Sequence, residues 1–150
     1  MASESVGKVI HLDVDGVLAD FAGAAAKVHG REWDGVSWDM AKAWNMTATQ
    51  FWKPLTPAWF ASLPLLPDAN AIVEIVNRLS GGNWLFATSP PSDPGVYTAK
   101  AIWIQKHWPE FRRHICICAK KELLGGGLLI DDSLDNCQRY RGQYVHMPVG

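Results

Sequence analysis

Two carboxylates, Asp13 and Asp15, stand one residue apart near the start of the chain, and Gly16 follows them directly. The apolar run at residues 9–12 precedes this pair and predicts a short buried strand that ends at Asp13. Like charges this close together are costly to desolvate unless a cation neutralises them. A strand that delivers two carboxylates to its carboxyl end, with a glycine where the backbone turns, therefore indicates a site for a hard metal ion and a nucleophile.

Polar side chains follow later apolar runs in the same way. Thr88 and Ser89 close a predicted strand in the middle of the chain, and Asp131 and Asp132 directly follow another. One Asp-x-Asp pair is weak evidence, because many such pairs lie in solvated turns. Two acidic clusters and a hydroxyl pair, each at a strand end, favour a single functional site, because ligands bind beyond the carboxyl ends of parallel strands.

The elements that would position these residues alternate between strands and helices. Strands are predicted at residues 9–12, 83–88, 115–118, 128–130 and 144–146. Between them, helices are predicted at 68–80, 95–108 and 133–141, the second with Val96, Ala99, Ile102 and Trp103 facing inward. This alternation predicts an α/β fold with an open, mostly parallel sheet.

Residues 19–65 depart from this alternation. An Ala-rich helix is predicted at 20–29, short helices are predicted after Thr47 and Thr56, and residues 31–46 are expected to be irregular. We interpret this segment as a small helical insertion. It holds five of the eight tryptophans, most of which we expect to pack the insertion while a few stack on a flat ring: Trp33, Trp38, Trp44, Trp52 and Trp59.

The composition limits the class of protein. With 150 residues, of which 48% are apolar and 19% charged, the chain is expected to be one globular domain. A net charge of −1 argues against a nucleic-acid polymer as partner. No run approaches the roughly 20 apolar residues of a membrane span, and residues 1–8 lack the apolar core of a secretory signal. We expect a cytoplasmic protein without a membrane partner; a homodimer is left open.

Cys116, Cys118 and Cys137 lack Cys-x-x-Cys spacing, which favours free thiols in a reducing compartment over a zinc site. The glycine run at residues 125–127 precedes a predicted strand and therefore lies at the opposite edge of the sheet from the acidic clusters. We expect it to be a plain turn and not a phosphate-binding loop. An EF-hand is also excluded, because a strand and not a helix precedes Asp13.

The ordered set Asp13-Val-Asp15-Gly16, Thr88-Ser89-Pro90, Lys120-Lys121 and Asp131-Asp132 resembles the motifs of the haloacid dehalogenase (HAD) superfamily of phosphotransferases. More narrowly, residues 13–21, 87–90 and 128–132 are similar to the 5′(3′)-deoxyribonucleotidase family. The resemblance implies a Rossmann-like HAD core with helices on both faces and a helical cap after the first strand. It places the core at residues 1–18 and 66–150 and the cap at residues 19–65.

The resemblance also implies a reaction, the magnesium-dependent hydrolysis of a (deoxy)nucleoside monophosphate through an aspartyl-phosphate. Asp13 would be the nucleophile, and Asp15 would protonate the leaving oxygen and then activate water. Mg²⁺ would be held by Asp13, by the backbone carbonyl of Asp15 and by the pair Asp131 and Asp132, with Asp132 as the direct ligand.

The phosphate and the base would be bound by other groups. Thr88 and Ser89 would hold the phosphoryl oxygens, and Lys121 would neutralise their charge, with Lys120 as the alternative and Lys100 as a second cation. The resemblance places an aromatic residue, Phe21, against the base, and it aligns cap aromatics with Trp38 and Trp52.

Two other functions stay open. The first is a HAD phosphatase for another small phosphoester, such as a sugar phosphate. The second is a non-catalytic metal-binding module, which is disfavoured because such a module has no use for the acid and base that Asp15 would supply.

Overall fold

The structure is a computed structural model of the chain and describes residues 9–148. Its centre is a sheet of five parallel strands in the order β3-β2-β1-β4-β5. The strands are β1 (Ile10–Leu12), β2 (Trp84–Thr88), β3 (Ile115–Ile117), β4 (Leu128–Asp131) and β5 (Gln143–His146). The predicted α/β class and parallel sheet are confirmed, and the topology fits a Rossmann-like HAD core.

The helices of the described residues are α1 (Phe21–His29), α2 (Met40–Ala43), α3 (Ala48–Trp52), α4 (Pro57–Ala61), α5 (Ala69–Ser80), α6 (Pro94–His107) and α7 (Leu134–Arg139). Single 3-10 turns occur at Pro109–Phe111 and Lys121–Leu123. Parallel strands are almost always joined by right-handed crossovers, which place α5 and α6 on one face of the sheet and α7 on the other. Helix α2 lies within the segment that was expected to be irregular.

The direction in which the chain crosses the sheet reverses beside β1. From β1 the chain passes to β2 and β3 on one side, whereas β4 and β5 lie on the other side. Leu12 pairs with Ile130, and the backbone N–H of Asp13 donates to the Ile130 carbonyl over 2.9 Å. The carboxyl ends of β1 and β4 therefore emerge together at the switch point, where ligands bind in sheets of this kind.

The core lies between the sheet and its helices. Leu12 and Phe86 are fully buried in the central strands, and Trp103 of α6 belongs to the same core cluster. The prediction that Ile102 faces inward is wrong, because 53% of its surface is exposed. The inward face of α6 instead includes a lysine, Lys100, which is only 3% exposed.

Residues 19–65 contain four helices and no strand. The chain enters and leaves this segment through an antiparallel bridge between Ala19 and Leu65. Helix α4 packs along α6, and the indole of Trp103 donates to the Leu63 carbonyl over 2.7 Å. The division of the chain into a cap at 19–65 and a core at 1–18 and 66–150 stays a prediction.

The three cysteines are free, as predicted. Among residues 9–148, no helix is both long enough and apolar enough to span a membrane. The prediction that no secretory signal is present rests on residues 1–8, which lie outside the described residues.

Candidate active site

Asp13 lies directly beyond β1, with only 6% of its surface exposed. The Nζ of Lys121 donates to Oδ1 of Asp13 over 2.9 Å. Burial raises the pKa of Asp13 to about 6, although the Lys121 ammonium acts in the opposite direction. The structure thus holds a carboxylate at the switch point, out of bulk water and beside one cation.

Lys121 binds a second carboxylate from the neighbouring strand. Its Nζ donates to Oδ2 of Asp131 over 2.7 Å, and Lys121 is 1% exposed. Burial disfavours the charge on Lys121, but the Asp13 and Asp131 carboxylates outweigh burial and hold the pKa of Lys121 above its usual value. Lys120, the alternative lysine, is exposed to solvent. Lys121 is therefore the lysine that the fold brings to Asp13.

Asp131 has partners on both carboxylate oxygens. Besides Lys121, it accepts from the backbone N–H of Ser133 over 2.8 Å and from the Asn136 amide over 3.2 Å. Asp131 is fully buried at the end of β4. Because its oxygens are already bonded, Asp131 can hold Lys121 and the following loop in place more readily than it can bind a metal ion directly.

Asp132, in the loop that follows β4, lies against the loop that follows β1. Gly16 has a φ of +82°, in the left-handed region that favours glycine. A Cβ on Gly16 would overlap Oδ2 of Asp132. The glycine that follows Asp13 and Asp15 thus allows both the backbone turn and the close approach of a second acidic loop.

Carboxylate oxygens of Asp13, Asp131 and Asp132 lie within 4.8 Å of one another. Burial, and then the neighbouring Asp13 carboxylate, raises the pKa of Asp132 to about 9. Crowded carboxylates oppose one another's charge, and a divalent cation bound among them would remove that cost. An all-oxygen set of carboxylate donors is typical of hard ions such as Mg²⁺. The residues present therefore fit a divalent metal ion.

The side chain of Asp15 lies outside that acidic cluster and pairs with a different lysine. The Nζ of Lys100 donates to Oδ2 of Asp15 over 2.6 Å. The other oxygen, Oδ1, is buried and has no hydrogen-bond partner among the described residues. Lys100, which the sequence offered as a second phosphate cation, is paired with Asp15 in this structure.

Thr88 ends β2 and is fully buried, yet its hydroxyl has no hydrogen-bond partner among residues 9–148. A buried polar group without a partner costs about 1–3 kcal/mol, so such a group at a strand end is typical of a ligand site. The Ser89 hydroxyl, in contrast, donates to the Cys118 carbonyl over 3.3 Å. The hydroxyl of Thr88 is therefore the one left free to bind a ligand.

The predicted aromatic residues are only partly brought together. The Phe21 ring, at the start of α1, has its centre 6.2 Å from that of Trp52 and 5.4 Å from that of Trp59. Trp52 is 43% exposed, which leaves part of its ring open to solvent. Trp38 is 62% exposed and makes no ring contact within the described part of the chain.

Sequence reasoning missed two groups that support these residues. Asn136 holds Asp131, and Phe60 lies under the Lys100 ammonium, with Nζ 5.2 Å from the ring centre. The contact between Phe60 and Lys100 had a signal in the sequence, because Lys100 lies at an inward position of α6 and a buried lysine needs a partner. No signal in the sequence pointed to Asn136.

The family model described as 5′ nucleotidase, deoxy (Pyrimidine), cytosolic type C protein matches residues 7–149. No curated protein gives a significant match. The family match covers nearly the whole chain, including both acidic loops, β2 and Lys121. The chain therefore belongs to this family of 5′-nucleotidases, which are phosphatases that hydrolyse phosphoric monoesters.

Proposed function

We propose that this protein is a magnesium-dependent phosphomonoesterase that converts (deoxy)nucleoside monophosphates to nucleoside and phosphate through an aspartyl-phosphate. The observation that carries the proposal is the meeting of Asp13, Lys121 and Asp132 at the switch point of the sheet. A nucleophile, a cation and a metal-binding carboxylate are the groups that phosphoryl transfer requires there.

In the first step, a carboxylate oxygen of Asp13 attacks phosphorus as the bond from phosphorus to the nucleoside oxygen breaks. Asp15 gives its proton to that leaving oxygen, which would otherwise depart as a poor alkoxide leaving group. In the second step, water attacks the aspartyl-phosphate, Asp15 takes a proton from the water, and phosphate leaves with the original Asp13 carboxylate restored. The Thr88 hydroxyl and the Lys121 ammonium support this chemistry by binding the phosphoryl oxygens.

Mg²⁺ would be held by the carboxylates of Asp13 and Asp132 and by the backbone carbonyl of Asp15, with Asp131 holding Lys121. When bound, it would stabilise the charge that develops on the phosphoryl oxygens. The proposal is supported by the all-oxygen donor set and by the burial and carboxylate crowding that raise the pKa of Asp132.

The base is proposed to stack against Phe21 and the exposed part of Trp52. The ring of Trp59 contacts the ring of Phe21. The family description names deoxy and pyrimidine substrates, which agrees with a flat ring bound between aromatic side chains. Trp38 stays a predicted contact. Residues 19–65 are proposed to form the cap, because the aromatic group lies in this segment and the Ala19–Leu65 bridge marks its two ends.

The same description includes the word cytosolic, which supports a cytoplasmic location. The proposed partner is a small phosphomonoester, with neither a nucleic-acid polymer nor a membrane as partner. A homodimer stays a prediction.

Phosphate release should be measured with deoxy- and ribonucleoside monophosphates, as 5′ and 3′ esters, beside a panel of sugar phosphates. We expect a clear preference for nucleotides, loss of turnover in EDTA and recovery with Mg²⁺. Equal or better turnover of sugar phosphates would refute the nucleotide assignment. Binding of Mg²⁺ without turnover of any ester would indicate the non-catalytic metal module.

A further inference from the structure

We propose that Lys100 is a positioning residue, which fixes the carboxyl group of Asp15 for proton exchange with the leaving oxygen and with water. The inference rests on the proposed acid and base role of Asp15. It assigns the second buried lysine of the site to the proton-transfer group and not to the phosphate.

The contact itself is close and sheltered. Nζ of Lys100 lies 2.6 Å from Oδ2 of Asp15, and the exposed fractions of the two side chains are 3% and 23%. An ion pair shielded from water keeps its geometry better than an exposed pair, because solvent screens it less.

The surroundings of Lys100 fix its ammonium group. The Phe60 ring lies beneath Nζ at 5.2 Å, which is within range of a cation–π contact. A cavity of about 10 Å³ beside the pair is lined by Val14, Leu63 and Trp103. Trp103 is itself anchored by the Leu63 carbonyl. Apolar and aromatic side chains therefore surround the Lys100 side chain and leave its ammonium group little space for another position beside Asp15.

The two oxygens of Asp15 are in different states. Oδ2 accepts from Lys100, whereas Oδ1 is buried without a partner among the described residues. Oδ1 is therefore the oxygen of Asp15 that is available to the leaving oxygen and to water, because the contact with Lys100 occupies Oδ2. Because Lys100 holds Oδ2, the position of Oδ1 is fixed as well. This matters because misplacement of a catalytic group by about 1 Å can reduce a rate about 10²-fold.

The test uses two substrates whose leaving groups differ in their need for a proton. Nucleoside oxygen leaves poorly without protonation, whereas the phenolate of p-nitrophenyl phosphate leaves readily. For Lys100→Met we expect kcat/KM with a nucleoside monophosphate to fall about 10²-fold and kcat/KM with p-nitrophenyl phosphate to change about threefold or less. Inhibition by inorganic phosphate should be unchanged. Equal losses with both substrates, together with weaker phosphate inhibition, would show that Lys100 binds phosphate and would overturn the proposal.

Three further variants keep the result interpretable. Lys106→Met removes an exposed lysine from the same helix and should behave as wild type in both assays. Asp15→Asn should show the same dependence on the leaving group; if it does not, the proposed role of Asp15 fails, independently of Lys100.

The double variant Lys100→Met/Asp15→Asn removes both charges of the ion pair and leaves neither unpaired, so it should fold even if Lys100→Met does not. Its kcat/KM should equal that of Asp15→Asn, and a further drop would refute action through Asp15.

Discussion

The backbone of Gly16 packs against the Asp132 carboxylate so closely that a Cβ on Gly16 would overlap Oδ2 of Asp132. These residues belong to the two acidic loops that follow β1 and β4, and they are one of the points at which the loops touch. The geometry of the carboxylates proposed to bind metal therefore depends on the absence of a side chain at Gly16.

Gly16→Ala should displace Asp132 and reduce both Mg²⁺ binding and turnover by about 10²-fold or more, because metal sites tolerate little displacement. The matched control is Gly81→Ala, since Gly81 also has a positive φ but no atom near the position of a Cβ. Both variants should lose about 1–2 kcal/mol of stability from backbone strain. Calorimetry with Mg²⁺ should show impaired binding in Gly16→Ala alone. Equal Mg²⁺ affinity in the two variants would contradict this account.

Lys121→Met should destabilise the protein by about 3–5 kcal/mol, because it leaves the buried carboxylates of Asp13 and Asp131 without their cation. Turnover should also fall by about 10²-fold or more. Urea unfolding and phosphate release measure the two effects. Lys120→Met, a change at the exposed neighbouring position, should be nearly silent in both assays. If Lys120→Met were the more damaging change, the assignment of the lysine would be wrong.

Thr88→Val should separate stability from binding. The hydroxyl of Thr88 is buried without a partner, so replacing it with a methyl group should raise the free energy of unfolding by about 1 kcal/mol. The same change should weaken inhibition by inorganic phosphate, because a phosphoryl ligand loses a donor. Thr98→Val, on the exposed face of α6, should leave phosphate inhibition unchanged. Unaltered phosphate binding in Thr88→Val would remove Thr88 from the site.

Phe21→Leu should raise KM for nucleoside monophosphates about tenfold, because stacking of a base on an aromatic ring is worth about 1–3 kcal/mol. Inhibition by inorganic phosphate should not change, since phosphate has no ring to stack. Trp38→Leu provides the comparison, because Trp38 is exposed and makes no ring contact among residues 9–148. A larger increase in KM for Trp38→Leu would show that Trp38, and not Phe21, binds the base.

Features encoded within a few residues were predictable from the sequence. The five strands, the cap residues Thr47 and Thr56 and the left-handed Gly30 all appear where local patterns place them. The acidic pairs could be assigned to one site because strand ends in a parallel sheet share an edge. The sequence therefore predicted which residues meet more reliably than how they pair.

The pairing itself depends on packing between distant parts of the chain. Lys100 and Asp15 are 85 residues apart, and only the rotation of α6 on the sheet brings them together. The same rotation exposes Ile102, which apolar periodicity had placed inside. Lys121 and Lys120 are neighbours in sequence, and only the 3-10 turn that begins at Lys121 decides which of them is buried.

The proposed reaction depends above all on phosphorylation of Asp13 during turnover. Its most direct test is rapid acid quenching of the enzyme during hydrolysis of a pyrimidine deoxynucleoside monophosphate labelled with ³²P at phosphorus, followed by peptide mapping. We expect label on the peptide that contains Asp13, lost on treatment with hydroxylamine and absent from Asp13→Asn, which should be folded and inactive. Turnover by Asp13→Asn at a substantial fraction of the wild-type rate, without label on the protein, would contradict the account.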